Sequence, residues 1–130
     1  MSLAKIKGIK EMSENGIEIG SHTLNHPILS RIPSNELYDE VFLSKEILEK
    51  KIDRKVVSFC YPNSCPEDIN EKVIEEVKRA GYKGAVFYAL PGFNDLFRIP
   101  RIPAENDKVN FLWHLSGMEF LMRRIKLSAY

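Results

Sequence analysis

Two histidines four residues apart, His22 and His26, lie in the segment Glu18-Ile19-Gly20-Ser21-His22-Thr23-Leu24-Asn25-His26-Pro27. On a helical turn or in a tight loop that spacing can bring two imidazoles onto one cation. Neutral imidazole suits zinc, iron, cobalt or nickel, whereas a magnesium site offers mainly oxygen ligands. The chain has three histidines, and two of them fall here. A stable site wants three or four protein ligands, so the pair is incomplete by itself. The competing reading is structural: one histidine caps or packs locally and the other is exposed.

Other residues with chemical potential are scattered further along. Tyr61-Pro62 closes an apolar run and reads first as a strand end followed by a turn. Cys60 and Cys65 are too few for a disulfide framework and lack the second pair of a zinc knuckle; they read as one buried and one loop thiol, with a local disulfide as the alternative. Arg98 and Arg101 flank prolines and could anchor carboxylates within the fold or meet substrate. Trp113 with Phe111 could stack on a sugar ring or pack a helix, and His114 beside them falls in an amphipathic stretch where surface or packing roles are common.

These groups must be positioned by alternating elements. Ile6, Ile9 and Met12 fall on one side of a helix that Asn15-Gly16 ends, and Ile17 to Ile19 then reads as a short strand. Pro33-Ser34 begins a second helix with Ser34 as N-cap and Leu37, Val41, Leu48 and Ile52 as its core stripe. Val56 to Tyr61 is a nearly unbroken apolar run, as in a parallel strand covered on both faces, and Pro62 stops it. Ile69, Val73, Val77 and Ala80 give a third helix ended by Gly81, and residues 84 to 88 another strand. The prolines within Phe97 to Ile102 predict an edge strand. Leu112, Leu115, Leu121 or Met122, and Ile125 mark a C-terminal helix that Gly117 interrupts. The order predicts an α/β fold with parallel strands and flanking helices, whose ligands sit at the carboxyl ends of the strands, on the loops beginning at Gly20 and Pro62.

At 130 residues and 44% hydrophobic content the chain suits one domain, taken as residues 1–130, short for an enzyme barrel. Lys and Arg number 19 against 18 Asp and Glu, so no long-range field gathers nucleic acid. No apolar run is long enough for a membrane span, and the start lacks a secretory signal. Met1-Ser2-Leu3 reads as a fusion scar, which leaves the compartment open, with the cell envelope or secretion as the native options.

The histidine segment resembles the second motif of the polysaccharide deacetylases, the NodB-homology domain or carbohydrate esterase family four. Val57-Ser58-Phe59-Cys60-Tyr61-Pro62-Asn63-Ser64 is similar to the family's third motif, and Arg79-Ala80-Gly81-Tyr82 to the helix-to-strand step that follows. The resemblance spans roughly Ile9 to Pro103 and implies the second half of a distorted (β/α) barrel. It also implies a divalent metal, zinc before cobalt, nickel or iron, held by His22, His26 and an aspartate, with a second aspartate as base. Those aspartates belong to an earlier strand, and no Asp-Asp pair occurs in this sequence. The resemblance further assigns the backbone N–H of Asn63 to the oxyanion, Tyr61 and Pro62 to the substrate, and His114, in Leu112-Trp113-His114, to a late Leu-x-His motif as general acid. The implied activity is hydrolysis of acetyl groups on a carbohydrate polymer, incomplete in this chain without the aspartates. The alternative is a degenerate fold that binds carbohydrate or protein. A half barrel leaves strand edges unpaired, so self-association, or pairing with the N-terminal half of the barrel, is expected.

Overall fold

Apolar alternation along the strands decides where the helices lie. The computed structural model describes residues 3–63, 65–87, 95–101 and 106–116. Its elements are α1 (Leu3–Glu14), α2 (Ser34–Ile52), β1 (Ser58–Cys60), α3 (Glu71–Arg79), β2 (Gly84–Phe87), β3 (Ile99–Pro100) and α4 (Lys108–Leu115), with 3-10 turns at Leu29–Arg31 and Pro66–Asp68. The strands form one parallel sheet in the order β1-β2-β3, with Phe59 opposite Ala85 and Val86 opposite Ile99. The α/β class, parallel strands and flanking helices are as the sequence predicts.

One face of this sheet makes the core. Phe59, Tyr61, Ala85 and Phe87 are buried together with Leu37 and Val41 of α2 and Val73, Ile74 and Val77 of α3. Phe59 sets its ring edge-on to Tyr61 and tilted against Tyr82, arrangements that suit the aromatic quadrupole. The opposite face carries Ser58, Cys60, Val86 and Ile99, which are half-buried or exposed. A Cβ built on Gly84 would touch Ile99 Cδ1 at 3.5 Å, as residues on one face should. The sequence implies strands covered on both faces; among the described residues the helices cover one.

Several boundaries differ from expectation. Ile17 to Ile19 form no strand; pairing starts at Ser21, which bridges Phe59 in parallel, with Ser21 N–H donating to Ser58 O and Cys60 N–H donating to Ser21 O. Pro33, not Ser34, is the N-cap of α2, and it has no side chain able to accept the free N–H groups. Met12 is exposed where the stripe of α1 predicts burial, and Ser13 is buried instead. α3 is capped by Asn70, whose side chain accepts from Val73 N–H, and ends at Gly81, whose φ of 77° is left-handed. β3 lies at the sheet edge, where Pro100 removes no ladder bond that the sheet needs. Leu112, Trp113 and Leu115 of α4 are exposed, so packing by Trp113 and Phe111 against the core is not found. Tyr88, residues 90–92, Ile102, and Gly117 with the rest of the C-terminal stripe lie outside the described residues.

Candidate metal centre and oxyanion turn

Ser21 is the last residue whose backbone pairs with β1, so the chain leaves the sheet directly into the histidines. Its buried hydroxyl donates to Ser44 Oγ of α2 at 2.7 Å, which pins the loop root to helix as well as strand. His22 Nδ1 lies 2.8 Å from Cys60 O at the end of β1. A carbonyl only accepts, so this bond requires the proton on Nδ1 and, in the neutral ring, leaves the Nε2 lone pair free. Metal-binding imidazoles are commonly held this way. The His26 ring sits edge-on to that of His22, with centroids 4.7 Å apart.

The loop between them is short and unusual in its torsions. Thr23 and His26 have φ of 65° and 59°, left-handed for non-glycine residues, at a cost of about 1–2 kcal/mol each. Side chains hold that shape. The Thr23 hydroxyl donates to His22 O at 2.6 Å and accepts His26 N–H at 3.0 Å, so one residue ties together the backbones of both histidines. From α2, Glu40 Oε2 accepts the N–H groups of Leu24 at 2.8 Å and Asn25 at 2.9 Å, while Oε1 accepts Asn25 Nδ2 at 2.6 Å. Glu40 has no role in the motif reading. Its signal lies in the helix: a carboxylate between Leu37 and Val41 interrupts an otherwise core-facing stripe.

Two imidazole nitrogens, one with its tautomer fixed by a carbonyl, suit a borderline-soft divalent ion as part of its ligand set. No group of three or more His, Cys, Asp or Glu able to hold a metal occurs among the described residues. The described residues thus offer two imidazoles toward such a set.

The turn after β1 is the second part of the site. Asn63 is exposed with φ 54°, and its N–H has no acceptor among the described residues. Tyr61 and Pro62, expected at the substrate, are both buried. The Tyr61 hydroxyl donates to Phe97 O at 3.1 Å. Burial pushes its phenol pKa up, with the nearby Asp95 carboxylate adding to the effect, so it stays neutral in ordinary conditions. Asp95 is itself held below the usual carboxylate range, chiefly by the Phe97 N–H and then by Arg98. Arg98 bridges Asp95 and Glu71, the fold-anchoring use of the two considered. Arg101 donates from Nη1 to Cys60 Sγ at 3.1 Å, immediately behind the carbonyl that holds His22, and pairs with no carboxylate among the described residues. Both cysteines are free thiols, Cys60 half-buried and Cys65 exposed. His114 is within α4, but its side chain lies outside what is described.

The histidine pair and a turn whose N–H has no acceptor among the described residues thus both follow strand ends of a parallel α/β sheet. Residues 4–85 match the family model for polysaccharide deacetylases, and the chain belongs to that family. The match takes in His22, His26 and Asn63 and ends before Arg101 and His114. Among solved structures, the chain is similar to the Streptococcus pyogenes deacetylase PplD, solved in complex with acetate, at 26% identity and a TM-score of 0.67 over 84% of this chain. It is also similar to a polysaccharide deacetylase from Bacillus cereus, at 28% identity and a TM-score of 0.63 over 74% of this chain. It spans 49% of the streptococcal protein and 31% of the Bacillus one, so its fold corresponds to part of a deacetylase barrel. No curated protein matches it.

Proposed function

We propose that this chain forms the histidine and oxyanion side of a hydrolase that removes acetyl groups from carbohydrate polymers, with N-acetylglucosamine-type chains the favoured substrate. The observation that carries the reading is the His22 Nδ1 bond to Cys60 O, which frees Nε2 on a ring whose centroid lies 4.7 Å from that of His26. The two imidazoles would hold a divalent ion, zinc first. What such an ion supplies when bound is Lewis acidity, polarising the acetyl carbonyl and lowering the pKa of water to about 7. The chain's own residues do the rest. Cys60 O keeps His22 in one tautomer, and Thr23 sets the separation of the two rings. The Asn63 N–H donates to the acetyl oxygen as negative charge develops on it, a task independent of its side chain. Because Tyr61 and Pro62 are buried, contact with sugar at this turn falls to Asn63.

The sequence contains no Asp-Asp pair. That observation favours a second reading for the chain acting alone, a non-catalytic module that binds carbohydrate or protein. Metal content by mass spectrometry after mild zinc loading tests the site in the parent and in a His22→Ala/His26→Ala variant. Near-stoichiometric zinc lost in the variant is the expected result, and equal, low zinc in both refutes the metal reading. Acetate release from N-acetylglucosamine oligomers then separates the two functions: release that depends on the histidines supports hydrolysis, and none supports the module.

A further inference from the structure

We infer that Glu40 of α2 is a positioning residue for the histidine pair, setting metal affinity through the backbone of the loop rather than by touching the ion. The inference rests on the metal-binding reading of His22 and His26. Glu40 is 8% exposed, and none of the described ion pairs includes it. Its charge is met by N–H groups, all three contributed by Leu24 and Asn25, midway between the two histidines.

A buried carboxylate without a cation is held in place by such charge-assisted bonds, and it in turn fixes whatever donates them. The three bonds are part-buried but their donors belong to exposed residues, which water could serve in another loop shape, so the bonds select this one. That shape needs selection, because Thr23 and His26 on either side are left-handed. Release of Leu24 and Asn25 would let both residues relax to ordinary torsions and swing the imidazoles apart. Thr23 holds the loop from within; Glu40 holds it to α2.

Zinc affinity, measured by competition with a chromophoric chelator, is compared in the parent, Glu40→Ala and Glu40→Gln, with circular dichroism and urea unfolding on each. Loss of a group that orients a ligand weakens metal binding roughly 10- to 100-fold, and that loss is expected in Glu40→Ala. Glutamine can still accept both backbone N–H bonds through its carbonyl oxygen, so Glu40→Gln should recover to within about threefold of the parent. Folded Glu40→Ala with parent-like affinity overturns the inference. If Glu40→Ala does not fold, Glu40→Asp decides, since a carboxylate one methylene shorter withdraws from the Leu24 and Asn25 N–H groups; parent-like affinity in folded Glu40→Asp is equally fatal.

Should the parent bind no more zinc than the His22→Ala/His26→Ala variant, it is the metal reading that has failed. Glu40 is then judged on the metal-free protein by long-range proton–nitrogen NMR of the imidazoles. The parent should show His22 as the single tautomer protonated at Nδ1, and Glu40→Ala an average of two. An unchanged single tautomer in Glu40→Ala overturns the positioning role. A merely structural glutamate would lower the urea midpoint and leave affinity and tautomer as they were.

Discussion

Gly20, two residues before His22, is the position where a single methyl group best tests whether close packing fixes the loop root on β1. An added Cβ would stand 2.8 Å from Ser58 Oγ and 3.3 Å from Ser58 O. The hydroxyl can rotate away, but Ser58 O accepts the Ser21 N–H at 3.0 Å and cannot retreat without stretching the bridge that registers the loop. Overpacking of this kind costs about 1–3 kcal/mol. Gly20 is not among the residues with positive φ, so alanine fits its torsions and should gain about 0.4–1 kcal/mol from the stiffer unfolded chain. Gly20→Ala should thus destabilise by about 1–2 kcal/mol net, lowering Tm by roughly 4 °C per kcal/mol. Urea unfolding of Gly20→Ala is then repeated in a Ser58→Gly background, which removes the hydroxyl. There most of the penalty should persist, because the 3.3 Å contact with the Ser58 carbonyl remains. Loss of the penalty in that background would show that the mobile hydroxyl, and not the carbonyl that registers the loop, is what keeps glycine here.

Two further outcomes concern the buried tyrosines and the sheet face. Tyr61 and Tyr82 both have phenol pKa values raised, chiefly by burial, so the folded state holds their protons more tightly than the unfolded state does. Their contribution is fully present below a pH of about 10 and is lost as pH rises towards the folded values, at about 1.4 kcal/mol per pH unit for each tyrosine. Urea midpoints between neutral and strongly alkaline pH should fall accordingly, and Tyr61→Phe with Tyr82→Phe should flatten that fall; a parent-like slope in the double variant rejects the assignment. The sheet face that none of the described helices covers, with Ile99 exposed and Cys60 and Val86 half-buried, predicts self-association. Light scattering across a wide concentration range checks it, and a monodisperse monomer throughout removes it.

What the sequence reveals depends on how locally each feature is encoded. α3 is legible because its stripe, its terminating Gly81 and the following apolar run all sit within a few residues of one another. The histidine spacing is legible for the same reason. Ile17 to Ile19 mislead because β-branched residues at strand spacing need a partner, and the partner of this segment begins at Ser21, where Gly20 permits the approach to Ser58. Ser34 misleads because a serine after proline resembles a cap, while the backbone turns into the helix one residue earlier at Pro33. Tyr61 carries the motif resemblance, yet its ring belongs to the core, a fact set by strand alternation with Phe59 rather than by the motif.

The least legible feature is the connection between α2 and the histidine loop. Within the segment from His22 to His26 only the Thr23 hydroxyl supports the left-handed torsions of Thr23 and His26, and the proposed second support is 14 residues beyond His26, at Glu40. The distance in sequence hides it, and the helix disguises it, since a glutamate in a helix is ordinarily a solvated residue. The usable sign is positional. A charge on the stripe that carries Leu37 and Val41 must either meet a partner inside the fold or cost the fold its burial. Here the partners are three N–H groups on the loop that presents the imidazoles. Charged residues on the apolar stripe of a helix next to a motif-bearing loop are therefore the first place to look for residues that shape the loop without entering its motif.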